Sequence, residues 1–225
     1  MRKHSQPHLN RSLRPSRTAR SVTQDGFTLI ELLLVIAIVA SLTYLTAPAI
    51  MSLNQSGNFT SNTTEMSQIL EQAYSSALSK NTYVWVGFSQ LTIKGESGIA
   101  VASVYSSHED PSDFPANVNL LTKPVFLPNL NLATVTTQIT NPARATVSVG
   151  QITAADMGTF SETINGSPQT LSLVLKISPS GQLSTSSSNR YAWTEIGLTP
   201  LNSNGKNAAV LQMNAFTGRV SVYRP

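Results

Sequence analysis

The chain has 225 residues, room for one domain of about 100 to 200 residues with an added segment, but not comfortably for two full domains. Charged residues make up only 12 %, against a typical ~25 %, and Ser, Thr and Asn are abundant, a balance that disfavours a mostly helical enzyme. There is no cysteine, which excludes a disulfide framework, a thiolate metal site and a Cys nucleophile.

The net charge of +4 is unevenly placed. Six of the 15 basic residues (Arg2, Lys3, Arg11, Arg14, Arg17 and Arg20) and one of the 11 acids, Asp25, precede residue 27, so the first 26 residues carry +5. Residues 27–225 hold nine basic and ten acidic side chains, a balance of −1. The basic character therefore describes a leader, and the remainder has no general affinity for polyanions.

From Phe27 the sequence reads FTLIELLLVIAIVASLTYLTAP, 22 residues up to Pro48. At about 1.5 Å per residue a helix of ~20 residues crosses the hydrocarbon of a bilayer, so 27–48 is expected to span a membrane. The basic residues lie on its N-terminal side and the next one is Lys80. That asymmetry predicts a cytoplasmic N-terminus, with the rest of the chain exported.

Two plain readings compete for this segment, a discarded signal peptide and an ordinary single-pass anchor. A signal peptide ends in a small-x-small site after a shorter apolar core, and here Pro48 sits among the small residues Thr46, Ala47 and Ala49. The ordinary anchor must accommodate Glu31, a carboxylate one turn inside the apolar stretch, where an unpaired charge costs several kcal/mol. Something has to compensate it.

Beyond Pro48 the polar stretch 52–64, with Gly57 in its middle, reads as a weak helix or a partly melted joint. Periodicity returns with Met66, Ile69, Leu70, Ala73, Ala77 and Leu78, an amphipathic helix ending near Lys80 and Asn81 that is expected to lay its apolar face on a sheet. From Tyr83 the period changes to two. Strands are expected at 83–88, 99–105, 145–149, 171–177, 209–213 and 219–223. Turn residues separate them at Lys94 and Gly95, Asn165 and Gly166, Pro179 to Gly181, Asn202 to Gly205, and Thr217 and Gly218. The expected class is α+β, a long N-terminal helix packed on a C-terminal antiparallel sheet. The organisation reads as a leader at 1–26, a membrane helix at 27–48, an amphipathic continuation at 49–81 and a β-rich head at 82–225.

Few residues invite chemistry. His108, Glu109, Asp110 and Asp113 form a titratable cluster whose three carboxylates are calcium-type ligands, but their spacing matches no EF-hand loop, and Pro111 and Pro115 mark a solvated surface loop. His108 is the one histidine after the leader and no serine lies in a nucleophile-elbow motif, so no catalytic residue, cofactor site or metal site is assigned and the chain is read as no enzyme. Arg219 and Arg224 are candidates for touching DNA phosphates, but two arginines on a near-neutral body make a thin footprint, and nucleic acid is not expected as a partner. Trp85 and Trp193 are expected in the core or on a sheet face.

At Gly26, Phe27, Thr28, Leu29, Ile30 and Glu31 the sequence resembles the type IV pilin and type II secretion pseudopilin family, whose hallmark is Gly, then Phe, then an apolar run with Glu at the fifth mature position. The resemblance combines a cleavage pair, one acid at a fixed offset, a basic leader and a span-length apolar helix. It implies that prepilin peptidase cuts after Gly26, that the new Phe27 amine is N-methylated, and that Glu31 guides assembly with other pilin or pseudopilin subunits. Cleavage would place an ammonium one helical turn from Glu31, the compensating charge the anchor reading lacks. Pro48 falls where pilins often carry a helix-kinking proline.

The resemblance also implies an inner-membrane subunit, in contact with lipid and with an assembly platform driven by a cytoplasmic ATPase, whose head is periplasmic or extracellular. The segments Leu175 to Gly181 and Gly218 to Val222 look like C-terminal elements of the minor pseudopilin H family, which includes the FimT-like pilins. A structural subunit of a periplasmic or surface filament, serving type II protein secretion or a type IV pilus, is the leading expectation. A DNA-uptake pilin is the alternative within the family. An exported enzyme or binding module on an uncleaved helix is the alternative outside it.

Overall fold

The computed structural model describes residues 26–106, 118–134, 139, 141–152, 158–185, 190–201 and 207–225. Residues 1–25, which hold all but Gly26 of the expected leader, the acidic loop of His108 to Asp113 and the turn at Asn202 to Gly205 lie outside the described residues. Helix α1, Leu29–Lys80, is a single run of 52 residues with Pro48 in its interior. The chain divides into two compact units between Ala47 and Pro48, and each has its own physical character.

The first unit is the apolar start of α1. Its stretch Leu29–Thr46 is long and apolar enough to cross a membrane, and its large side chains are exposed along the whole length. The few hydroxyls there are satisfied within the helix: Ser41, Thr43 and Thr46 donate to the carbonyls of Ala37, Val39 and Leu42 at 2.8, 2.8 and 3.0 Å. Internal satisfaction of polar groups is what hydrocarbon demands of a spanning segment.

In the second unit α1 buries Phe59, Met66, Leu70, Ala73, Tyr74 and Ala77, a stripe at three- and four-residue spacing. The polar stretch that reads as a weak joint is helical throughout. Asn81, at φ 49°, ends the helix in the left-handed conformation. Its amide donates to Leu78 O and that of Thr82 to Ala77 O, the paired bonds of a Schellman cap.

The strands are β1 Tyr83–Ile93, β2 Glu96–Ser106, β3 Asn119–Leu120, β4 Val125–Pro128, β5 Leu130–Ala133, β6 Val149–Gln151, β7 Phe160–Ile164, β8 Ser167–Leu171, β9 Leu173–Ile177, β10 Leu183–Ser184, β11 Trp193–Pro200, β12 Ala209–Asn214 and β13 Val220–Tyr223. The first sheet has the order β10-β9-β1-β2-β3, with β4 also pairing β2, all antiparallel. The second has the order β13-β12-β11-β5, antiparallel, with β6 lying parallel to β11. The hairpin β7-β8 is a separate pair. The architecture is α+β with a mostly antiparallel sheet region.

One core joins these layers. Val84, Val86, Phe88, Ile99, Val101, Leu175 and Ile177 from one face of the first sheet meet the α1 stripe together with Ile196, Leu198, Leu211 and Met213 of the second. The opposite face of the first sheet, with Trp85, Ala100, Ala102, Val104 and Val174, is covered by Phe160, Ile164 and Leu171 of the β7-β8 hairpin. Trp85 is therefore a fully buried core residue and Trp193 is half-buried.

Two strand expectations need correction. The run 145–149 is not a strand: residues 141–148 are irregular, and only β6 continues in extended form. The backbone amide and carbonyl of Ala145 bond the side chain of Gln212 at 3.0 and 2.9 Å instead of a neighbouring strand, and Ser148 has φ 56°. The run 171–177 is two strands, because the chain leaves the β7-β8 pair at Ser172, whose amide donates to Phe88 O, and then joins the first sheet as β9.

The irregular segment is fastened to the second sheet by a buried ion pair. Arg144 donates to both carboxylate oxygens of Glu195 at 2.6 Å, and Gln212 Nε2 donates to the same carboxylate at 2.7 Å. The Glu195 side chain is 1 % exposed. Its hydrogen bond to Arg144 holds the guanidinium above its ordinary pKa. Among the described residues this is the one ion pair.

The tail is locked to α1. The Tyr74 hydroxyl donates to Ala215 O at 2.8 Å, and the Val220 amide donates to Glu71 Oε1 at 2.9 Å. Gly181 and Gly218, at φ 83° and 70°, press on the Tyr74 ring. The two tail motifs, well separated in sequence, thus meet on one tyrosine. A Cβ at Gly218 would lie 2.0 Å from Tyr74 Cδ1, and one at Gly181 2.5 Å from the Tyr74 hydroxyl, so both turns need glycine for space as well as for conformation.

Candidate functional site

The site is the start of α1. Gly26 is exposed, with open space around it, and Phe27 is 85 % exposed, so the bond between them is accessible to another protein. Thr28 precedes the first helical residue and Glu31 lies three residues on. The Glu31 amide donates to Thr28 Oγ1 at 3.3 Å, while Glu31 Oε2 accepts from the Thr28 amide at 2.9 Å and from the Thr28 hydroxyl at 2.8 Å. This is a capping box, which satisfies helix-end donors that have no partner within the helix.

The arrangement changes how the acid within the apolar stretch is understood. Within one chain Glu31 is held by Thr28, through one carboxylate oxygen, and Oε1 has no hydrogen-bond partner among the described residues. The Thr-x-x-Glu spacing that signals a capping box stands in the sequence, so Thr28 is the site residue that attention to Glu31 alone misses. Carboxylates at a helix start are also favoured by the helix dipole.

The remaining candidates are not brought into a site. Arg224 is occupied: its guanidinium lies 5.5 Å from the centre of the Phe59 ring and donates to Thr60 Oγ1 at 3.2 Å. Arg219 is exposed beside the turn before β13. The two arginines sit at opposite ends of the short last strand and form no joint cation patch. Among the described residues no group of three or more His, Cys, Asp or Glu side chains is placed to hold a metal.

An accessible Gly-Phe bond, an acid-capped helix start and a bare apolar helix thus stand together at the start of α1. Residues 23–43 match the family model described as the prokaryotic N-terminal methylation motif. Comparison with curated proteins and with solved structures finds no match. The matched motif supports a place among type IV pilins and pseudopilins, as a subunit processed by prepilin peptidase and assembled with other pilins, and it agrees with membrane anchoring through the apolar helix.

Proposed function

We propose that this protein is a minor pseudopilin or pilin, a structural and non-catalytic subunit of a filament used for protein secretion or pilus function. Prepilin peptidase cuts between Gly26 and Phe27, the Phe27 amine is methylated, and the apolar part of α1 moves from lipid into a bundle of identical or related helices. The head is carried on the periplasmic or extracellular side, and a cytoplasmic ATPase with its membrane platform drives assembly.

The observation that carries this reading is the half-used carboxylate of Glu31. Thr28 engages Oε2 and leaves Oε1 open, at the start of an apolar helix that has no covering partner within its own unit. The ammonium on Phe27 of one subunit can then meet Oε1 of its neighbour in a medium of low dielectric, where the attraction far exceeds its value in water. Pairing of that kind rewards one axial register over others. The capping box keeps the acid ordered at the helix start until a neighbour arrives.

Mass measurement of the protein extracted from its native membrane tests processing. The expected species begins at N-methyl-Phe27, and an intact leader in cells with active peptidase would contradict it. Glu31→Ala tests assembly: cleavage should persist while incorporation into filaments falls, and unchanged incorporation would remove the role given to Glu31. The occupied state of Arg224 weighs against the DNA-uptake alternative.

A further inference from the structure

Among the described residues the arginines are Arg144, Arg190, Arg219 and Arg224. Arg144 is ion-paired to Glu195, and Arg224 is engaged by Phe59 and Thr60. Arg190 and Arg219 are exposed, and neither guanidinium has a hydrogen-bond, ion-pair or ring partner among the described residues. Both lie at the end of the second sheet where β6, β11 and β13 begin and β12 finishes.

Two apolar side chains stand in solvent at this same end: Phe216 is 82 % exposed and Val147 is 80 % exposed. Their neighbours are tied across the strand ends, Ala215 N to Ala192 O at 2.9 Å and Ala192 N to Ser148 Oγ at 3.2 Å. Strand spacing of ~4.8 Å therefore puts the two backbones about 10 Å apart.

The turn that displays Phe216 is not loose. Asn214 Oδ1 accepts from the amides of Phe216 and Thr217, Gly218 N donates to Asn214 O at 2.8 Å, Asn214 N to Arg219 O at 3.0 Å, and Arg219 N to Thr217 Oγ1 at 3.3 Å. Every backbone amide from Asn214 to Arg219 is hydrogen-bonded, and Tyr74 supports the turn from below. A phenyl ring held outward on so ordered a turn contributes nothing to the core. Docking it into a partner costs little further conformational entropy.

We infer that this end of the head docks a second protein of different sequence, one that offers an apolar pocket with carboxylates at its rim. Phe216 enters the pocket with Val147 beside it, and Arg190 and Arg219 meet the rim acids. A nucleic acid fits less well, because the chain after Gly26 carries −1 overall and the described residues at this end include two open arginines, while Val147 gains nothing from a base. The inference stands on the head alone and holds whether or not the N-terminal helices polymerise.

The test uses the full-length chain in its native membrane with Phe216→p-benzoylphenylalanine, irradiated and mapped by mass spectrometry. The expected product is an adduct with another polypeptide, at an apolar site flanked by Asp or Glu. Arg190→Glu with Arg219→Glu should lower the yield by about tenfold, the sum expected of two rim ion pairs. Reversing the mapped partner acids to Lys should restore it. An adduct with a second copy of this chain, with lipid or with nucleic acid, the lack of any adduct, or a yield indifferent to charge reversal would each overturn the inference. Phe216→Ala should melt as the wild type does, and a lowered melting point would reassign the ring to the fold and overturn the inference too.

Discussion

Replacing Gly218 by alanine tests the lock between α1 and the tail. At φ 70° an L side chain is strained by about 1 kcal/mol. The new Cβ would also sit 2.0, 2.4 and 2.5 Å from Tyr74 Cδ1, Cε1 and Cγ. The ring cannot withdraw without breaking its hydroxyl bond to Ala215, so overpacking adds about 1–3 kcal/mol and the total is about 2–4 kcal/mol. Thermal unfolding of the full chain in detergent, followed by the fluorescence of buried Trp85, should show a melting point lower by on the order of 10 °C. Gly57→Ala supplies the opposite sign: that glycine is helical with open space around it, and alanine there should stabilise by up to about 1 kcal/mol. In a Tyr74→Ala background the Gly218→Ala penalty should shrink to its backbone part. A Gly218→Ala chain melting with the wild type would refute the lock.

Three further expectations come from the geometry. Glu195→Leu leaves Arg144 without its carboxylate and should cost about 3–5 kcal/mol in a urea titration, whereas Arg144→Met combined with Glu195→Leu should recover most of that loss. Thr28→Val removes the cap and should weaken the start of α1 by about 1 kcal/mol, read as about fivefold faster hydrogen exchange of the first-turn amides in micelles, and unchanged exchange would rule the cap out. Burial raises the Tyr74 phenol above 10.0, so the folded chain holds that proton more tightly than the unfolded one. The resulting stability is present below about pH 10 and is lost as pH rises from the unfolded value through the folded one. Tyr74→Phe should lack this alkaline loss, and identical alkaline profiles would show that Tyr74 does not cause it.

Sequence and structure agree where burial is one-sided. Met66, Leu70, Ala73 and Ala77 announce the α1 face, and Lys80 with Asn81 announces its end, because a helix with one wet side must space its apolar residues by turns. Residues 83–88 and 99–105 show period two for the same reason, although β1 and β2 each run beyond them. The central strand β11 is hidden by Glu195 and Gly197, since a carboxylate inside a strand reads as surface until Arg144 is seen to face it from 51 residues away. The reverse error at 145–149 has the same origin: a β-branched run is not a strand when a side chain, Gln212, takes its backbone bonds. At the candidate site Gly26, Phe27 and Glu31 stand out by residue type alone. Thr28 is equally legible in its Thr-x-x-Glu spacing, but a lone acid in an apolar run points to an absent partner and obscures the one three residues earlier.

The closing bonds of the head reach from one end of it to the other. Tyr74 meets Ala215 across 141 residues, Glu71 meets Val220 across 149, and Arg224 meets Thr60 across 164. Each joins the first helix to the segment from Ala215 to Arg224, so the clasp cannot close until that segment has been made. Contacts this distant in sequence form slowly. A chain that emerges in N-to-C order thus stays open along one side until β12 and β13 arrive to close it.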